Sequence, residues 1–170
     1  MSKFSFSGHE KFHCRQFWLK KGYDFVQAGG KFSDEDAVVA LGVGKNMANS
    51  IRYWLKAFDL VDPQEQPNEL AHYIFGENGK DPYIENMGTV WLLHYYLVAH
   101  GQASIYALFF NAFRKERIEF TKEQFLNFLK RKCEAHNMVI SENSLSSDIE
   151  ILIKNYWRPK RSTQNIEDDF

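Results

Sequence analysis

The sequence predicts a mainly α-helical chain with one small β-hairpin, a winged helix-turn-helix followed by a C-terminal helical region. Three observations predict it. Apolar residues recur at three- and four-residue spacing through most of the chain. A glycine-bearing turn at Gly42 and Gly44 separates a short helical stretch from a longer one, the order of a helix-turn-helix. "LAHYIFGENGKDPYI" reads as two short apolar runs joined at Gly76-Glu77-Asn78-Gly79, a hairpin in the place of a wing. On this reading residues 1–88 form a winged-helix-like domain, 89–158 a helical domain and 159–170 a mobile tail.

The elements follow in order. "KFHCRQFWLKKGYDFVQ" reads as one or two helices broken near Gly22, and "AGGKFS" is a turn. Ser33 is placed to cap "AVVALGV", with Asp34, Glu35 and Asp36 where a helix dipole favours acids. "KNMANSIRYWLKAFDLV" is a long amphipathic helix, and the two prolines of "DPQEQPNE" end it. Thr89 is placed to cap "VWLLHYYLVAH", while the periodicity of "SIYALFFNAF" fits strand or helix. "TKEQFLNFLKRKCEAH" and "SENSLSSDIEILIKNYW" are two further amphipathic helices; "RPKRSTQNIEDDF" has no apolar pattern.

Composition excludes several classes. With 44% hydrophobic, 16% aromatic and 25% charged residues, the 170-residue chain can bury a core and is not a disordered polyelectrolyte. No apolar run approaches the roughly 20 residues that span a bilayer, and "MSKFSFSGHE" lacks the apolar core of a secretion signal. Cys14 and Cys133 form no C-x-x-C and read as reduced thiols, so the expected location is cytoplasmic. The net charge is −1, which leaves any basic surface local. Nine Lys/Arg against six Asp/Glu up to Leu60 give about +3 there, and the remainder is about −4.

One helix reads as functional. Met47, Ile51, Trp54, Leu55 and Phe58 form an apolar stripe. Lys45, Asn49, Arg52 and Lys56 form a second stripe of three cations and an amide, with Asn46 and Tyr53 alongside. Cations neutralise phosphates, and Asn or Arg can address base edges, so this face is expected to meet double-stranded DNA, with Lys80 reaching from the wing. The last helix carries its own apolar stripe, Leu145, Ile149, Leu152, Ile153 and Tyr156, read as core packing before DNA contact.

The sequence also offers false leads. His9, Glu10 and His13 spell H-E-x-x-H, the two-histidine zinc pattern of a peptidase helix. The context is wrong, because Gly8 precedes the motif and Lys11 lies inside it, a poor helix former and a cation beside the would-be dication. "GVGKN" lacks the first glycine and the final Ser/Thr of a phosphate loop. Catalytic residues, bound metal and cofactor are therefore all expected to be none. Gly8, His9, Glu10 and Arg15 remain a possible functional loop, against the plainer reading that Glu10 caps the next helix and Arg15 pairs with it or with Asp24.

"FSGHEKFHCRQFWLKKG", "ALGVGKNMANSIRYWLKAF" and "IFGENGKDPYIENMGTVWLLHYYL" together resemble the bacterial family known as domain of unknown function number four thousand and seven. Its first block reads G-H-E-x-F-x-x-R-x-x-W, which Gly8 through Trp18 match, so His13 is a local variation. The resemblance implies a setting among DNA phosphorothioation and defence proteins, kinship with the nickase of the single-strand system, and a longer whole protein. Three readings follow. The first is a DNA-binding winged-helix subunit that also meets DNA-modification proteins and no membrane. The second is a metal-dependent DNA nickase using His9, Glu10 and His13; the third is an adaptor whose aromatic surface docks a sulfur-transfer partner.

Overall fold

Apolar side chains three and four residues apart, punctuated by Asn, Ser, Thr and Gly, commit most of the chain to helices. The computed structural model describes residues 4–157. The elements are α1 (Trp18–Gln27), α2 (Ala37–Leu41), α3 (Lys45–Ala57), α4 (Glu69–Phe75), α5 (Met87–Ala99), α6 (Ser104–Leu108), a π-helical turn (Phe109–Phe113), α7 (Arg114–Glu116), α8 (Lys122–Ala135) and α9 (Glu142–Tyr156). The expected tail at 159–170 lies outside the described residues.

No strand forms among the described residues, so the expected hairpin wing is absent and the fold is all-helical. The only extended pairing described is a single antiparallel bridge between Val61 and Pro67. The wing fails for a local reason. The Asn68 side chain accepts a hydrogen bond from the Ala71 amide (3.0 Å) and starts α4. Ala71, Ile74 and Phe75 then fall on one buried helical face. The glycines that resembled a hairpin tip instead turn the chain back over the end of α4: Gly79 N–H donates to Gly76 O (2.8 Å) and Lys80 N–H to Tyr73 O (2.9 Å).

Other boundaries shift similarly. Gly22 does not break α1; an added Cβ there would lie 2.7 Å from Ile51 Cγ2 and 2.8 Å from Leu55 Cδ1, so the missing side chain lets α1 lie close on α3. α2 begins after Asp36 rather than at a Ser33 cap, and Asn86, not Thr89, caps α5. Thr121 and Gln124 close a capping box on α8, and Ser141 caps α9. "SIYALFFNAF" is helical, with a wide turn that points Phe109 and Phe113 together into Phe125, at ring distances of 5.0 and 4.8 Å.

The buried side chains of α1, α3, α4, α5, α6, α8 and α9 form one continuous cluster. Trp54, fully buried on α3, meets Tyr106 of α6 edge-on at 6.1 Å. This fixes α3 as the helix around which both ends of the chain are organised.

Candidate nucleic-acid interface

α2 ends on Gly42, whose φ of 62° is the left-handed turn that glycine adopts without strain. Gly44 then starts α3. The two helices thus meet through a three-residue turn, as in a helix-turn-helix, and the first turns of α3 are the part such units present outward. Lys45 and Asn46 are exposed there, Asn49 is half-buried one turn on, and Lys45 enters no ion pair among the described residues. Ile51, Trp54 and Leu55 on the opposite side are buried, as the apolar stripe required.

The rest of the cationic stripe is occupied. The loop after α3 doubles back, with Asn68 N–H donating to Leu60 O (3.1 Å) and Asp62 N–H to Gln66 O (2.9 Å). This brings Glu65 onto the helix. Its Oε1 accepts Arg52 Nε at 2.6 Å and lies 2.5 Å from both Arg52 Nη2 and Lys56 Nζ. Partial burial alone would raise Glu65, but the hydrogen bonds and positive charges of Lys56 and Arg52 outweigh it and hold the carboxyl below its usual range. Two of the three cations therefore share one carboxylate.

Tyr53 faces a third direction. Its ring packs where a Cβ on Gly8 would stand, 2.4 Å from Cδ2, and lies edge-on to His9 at 6.1 Å. Burial, with the nearby Asp148 charge, raises its hydroxyl well above the ordinary tyrosine value. Tyr53 belongs to an internal clasp and not to the outward face. Lys80 is exposed, but it sits in the turn after α4 and extends from no wing.

The N-terminal loop is the other half of that clasp. His9 is 2% exposed and Asp148 of α9 is 1% exposed. His9 Nδ1 accepts the Lys11 amide at 3.0 Å, so Nε2 carries the hydrogen that it donates to Asp148 Oδ1 at 3.1 Å. The Ser7 amide donates to both Asp148 oxygens, at 2.9 and 3.1 Å. Ser50 Oγ donates to His9 O at 3.0 Å and Trp54 Nε1 to Phe12 O at 3.2 Å, which ties the loop to α3. Ser7, Glu10 and Lys11 all take positive φ to make these turns.

H-E-x-x-H therefore lies in turns and not on a helix, and both ring nitrogens of His9 already hold hydrogen bonds. Glu10 is exposed and does not cap α1, which starts at Trp18 with no side-chain cap. Arg15 lies over the Trp18 ring at 5.5 Å, and Asp24 pairs with Lys20 at 2.5 Å. Asp148 and Glu65 were missed from sequence. Asp148 interrupts the apolar stripe of α9 between Leu145 and Ile149, and Glu65 sits in a proline-bounded loop too short to leave α3; both are legible signals.

Helical order, the α2–α3 unit and the N-terminal clasp can now be set against known proteins. A family model described as "Protein of unknown function (DUF4007)" matches residues 6–170, and the chain belongs to that family. Two solved structures are similar. "SspB crystal structure" is 32% identical with a TM-score of 0.73, covering 88% of this chain and 49% of that one. "Magnesium ion-bound SspB crystal structure" is 29% identical with a TM-score of 0.72, covering 88% and 48%. The chain thus spans about half the length of the SspB chains it matches. Among curated proteins none matches.

Proposed function

We propose that this chain is a DNA-binding helical unit of an SspB-type protein serving a DNA phosphorothioation system. Its contact is the first two turns of α3, where Lys45, Asn46 and Asn49 stand clear of the core after the Gly42–Gly44 turn. The observation that carries the reading is this division of α3. One side is anchored by Ile51, Trp54 and Leu55, one is held by the N-terminal loop, one has its two cations paired to Glu65, and its start presents amides with a cation that is unpaired among the described residues. Lys45 supplies a phosphate contact, and the amides of Asn46 and Asn49 can donate and accept at base edges. The similarity to SspB structures supports the setting.

The test is anisotropy of a labelled duplex titrated with the chain at several salt concentrations. Lys45→Ala should weaken binding to every duplex and reduce the slope of log K against log salt by about 1. Asn46→Ala with Asn49→Ala should reduce discrimination between duplexes more than affinity. Affinity and slope unchanged in both variants would refute the assignment.

A further inference from the structure

We propose that the groove beside α5 seats a polypeptide equivalent to the half of SspB that this chain does not span, docked through apolar side chains. The helix itself raises the question. "MGTVWLLHYYLVA" contains no Asp, Glu, Lys or Arg, and a helix apolar all round is ordinarily buried all round. Here only Leu93 and Leu97 are buried. Met87, Trp91 and Tyr95, one row at four-residue spacing, are 64%, 64% and 63% exposed.

The row borders a concavity. Val90 and His94 of α5 line a groove of about 320 Å³ together with Ile84 and with Tyr156 of α9. His94 Nδ1 and Tyr156 Oη share a hydrogen bond of 2.7 Å that ties α5 to α9 in the lining. Burial lowers the pKa of His94, so this rim favours the uncharged imidazole. Exposed Phe17 and Tyr83 pair edge-on at 6.4 Å, and their chain neighbours Gln16 and Ile84 line the groove. A mainly apolar concavity with Arg15, Gln16 and Asn155 in its lining, flanked by exposed aromatics, is the form of a docking surface, not of a solvated face.

Two observations choose the occupant. α5 offers no cation to a phosphate backbone, and Arg15, the one Lys or Arg among the described residues lining the groove, lies over the Trp18 ring, which argues against nucleic acid. The matched SspB chains carry as much polypeptide again as the part this chain accounts for, 49% and 48% of their length being covered. A unit of that size needs an apolar seat, and this face provides one without using α3. The inference is independent of the DNA reading.

The test places the photo-crosslinking residue p-benzoylphenylalanine in intact SspB at the positions aligned with Trp91 and Tyr95. Intramolecular crosslinks to peptides of the unmatched half are expected. Crosslinks to a second copy, or none, would overturn the proposal. In parallel, light scattering should find the present chain monomeric, with Trp91→Glu leaving its melting midpoint unchanged. A dimer that Trp91→Glu dissolves would assign the groove to self-association and also overturn it.

Discussion

Glu65→Gln removes the charge that occupies Arg52 and Lys56 while keeping size and backbone conformation. In the native chain the two cations converge on one oxygen, each within 2.6 Å. If Lys45 alone meets a phosphate, lowering salt from about 200 to about 50 mM should raise duplex affinity about 3.5-fold, from a slope of about −0.9 per contact. With Arg52 and Lys56 released, three contacts give a slope near −2.7 and a gain of about 40-fold. Anisotropy across that salt range measures both. Stability should move little, since half-exposed ion pairs contribute about 0.2–1 kcal/mol each. Because the Glu65 pKa is lowered, its contribution is present above the ordinary glutamate value and is lost as pH falls through its depressed folded value; the variant should lack that acid-side decline. A folded Glu65→Gln protein with unchanged affinity and slope would refute the view that Glu65 screens a DNA-facing helix.

Asp148→Ala strips the acceptor from His9 Nε2–H and the Ser7 amide. At about 1–3 kcal/mol per orphaned buried donor, the melting midpoint should fall by at least about 5 °C, and Asp148→Asn should fall less. Calorimetry showing no loss would deny the clasp a stabilising role. Gly22→Ala should cost about 1–3 kcal/mol through overpacking against Ile51 and Leu55, read by urea denaturation; a neutral result would mean that α1 can lift from α3 freely. Burial raises both Cys14 and Cys133 thiols, so Cys133, buried, should not react with a disulfide reagent at pH 8 until denaturant is added, and half-buried Cys14 should react more slowly than a free thiol. Rapid native labelling of Cys133 would contradict that placement.

The amphipathic helices were legible because their buried faces repeat at helical spacing, and Ile51, Trp54, Leu55 and Leu145 lie where that spacing puts them. The segment at 69–80 was misread because two glycines weighed more than Asn68, whose cap on α4 declares a helix three residues before the apolar pattern settles. The cationic stripe was legible as a pattern but not as a surface. Helical periodicity shows which residues share a face, but not which loop returns to cover it, and Glu65 returns from outside the helix. The buried pairing of His9 was not legible for the same reason at longer range. Its partner lies 139 positions away, beyond any local window.

That separation has a consequence for how the chain is made. Ser7 and His9 close on a carboxylate 141 and 139 positions further along the chain, so both must wait until α9 has been synthesised. Such distant closure slows folding relative to a bundle of neighbouring helices. A nascent product stopped before α9 would carry an open beginning, with the histidine and the strained turns searching for a partner not yet translated.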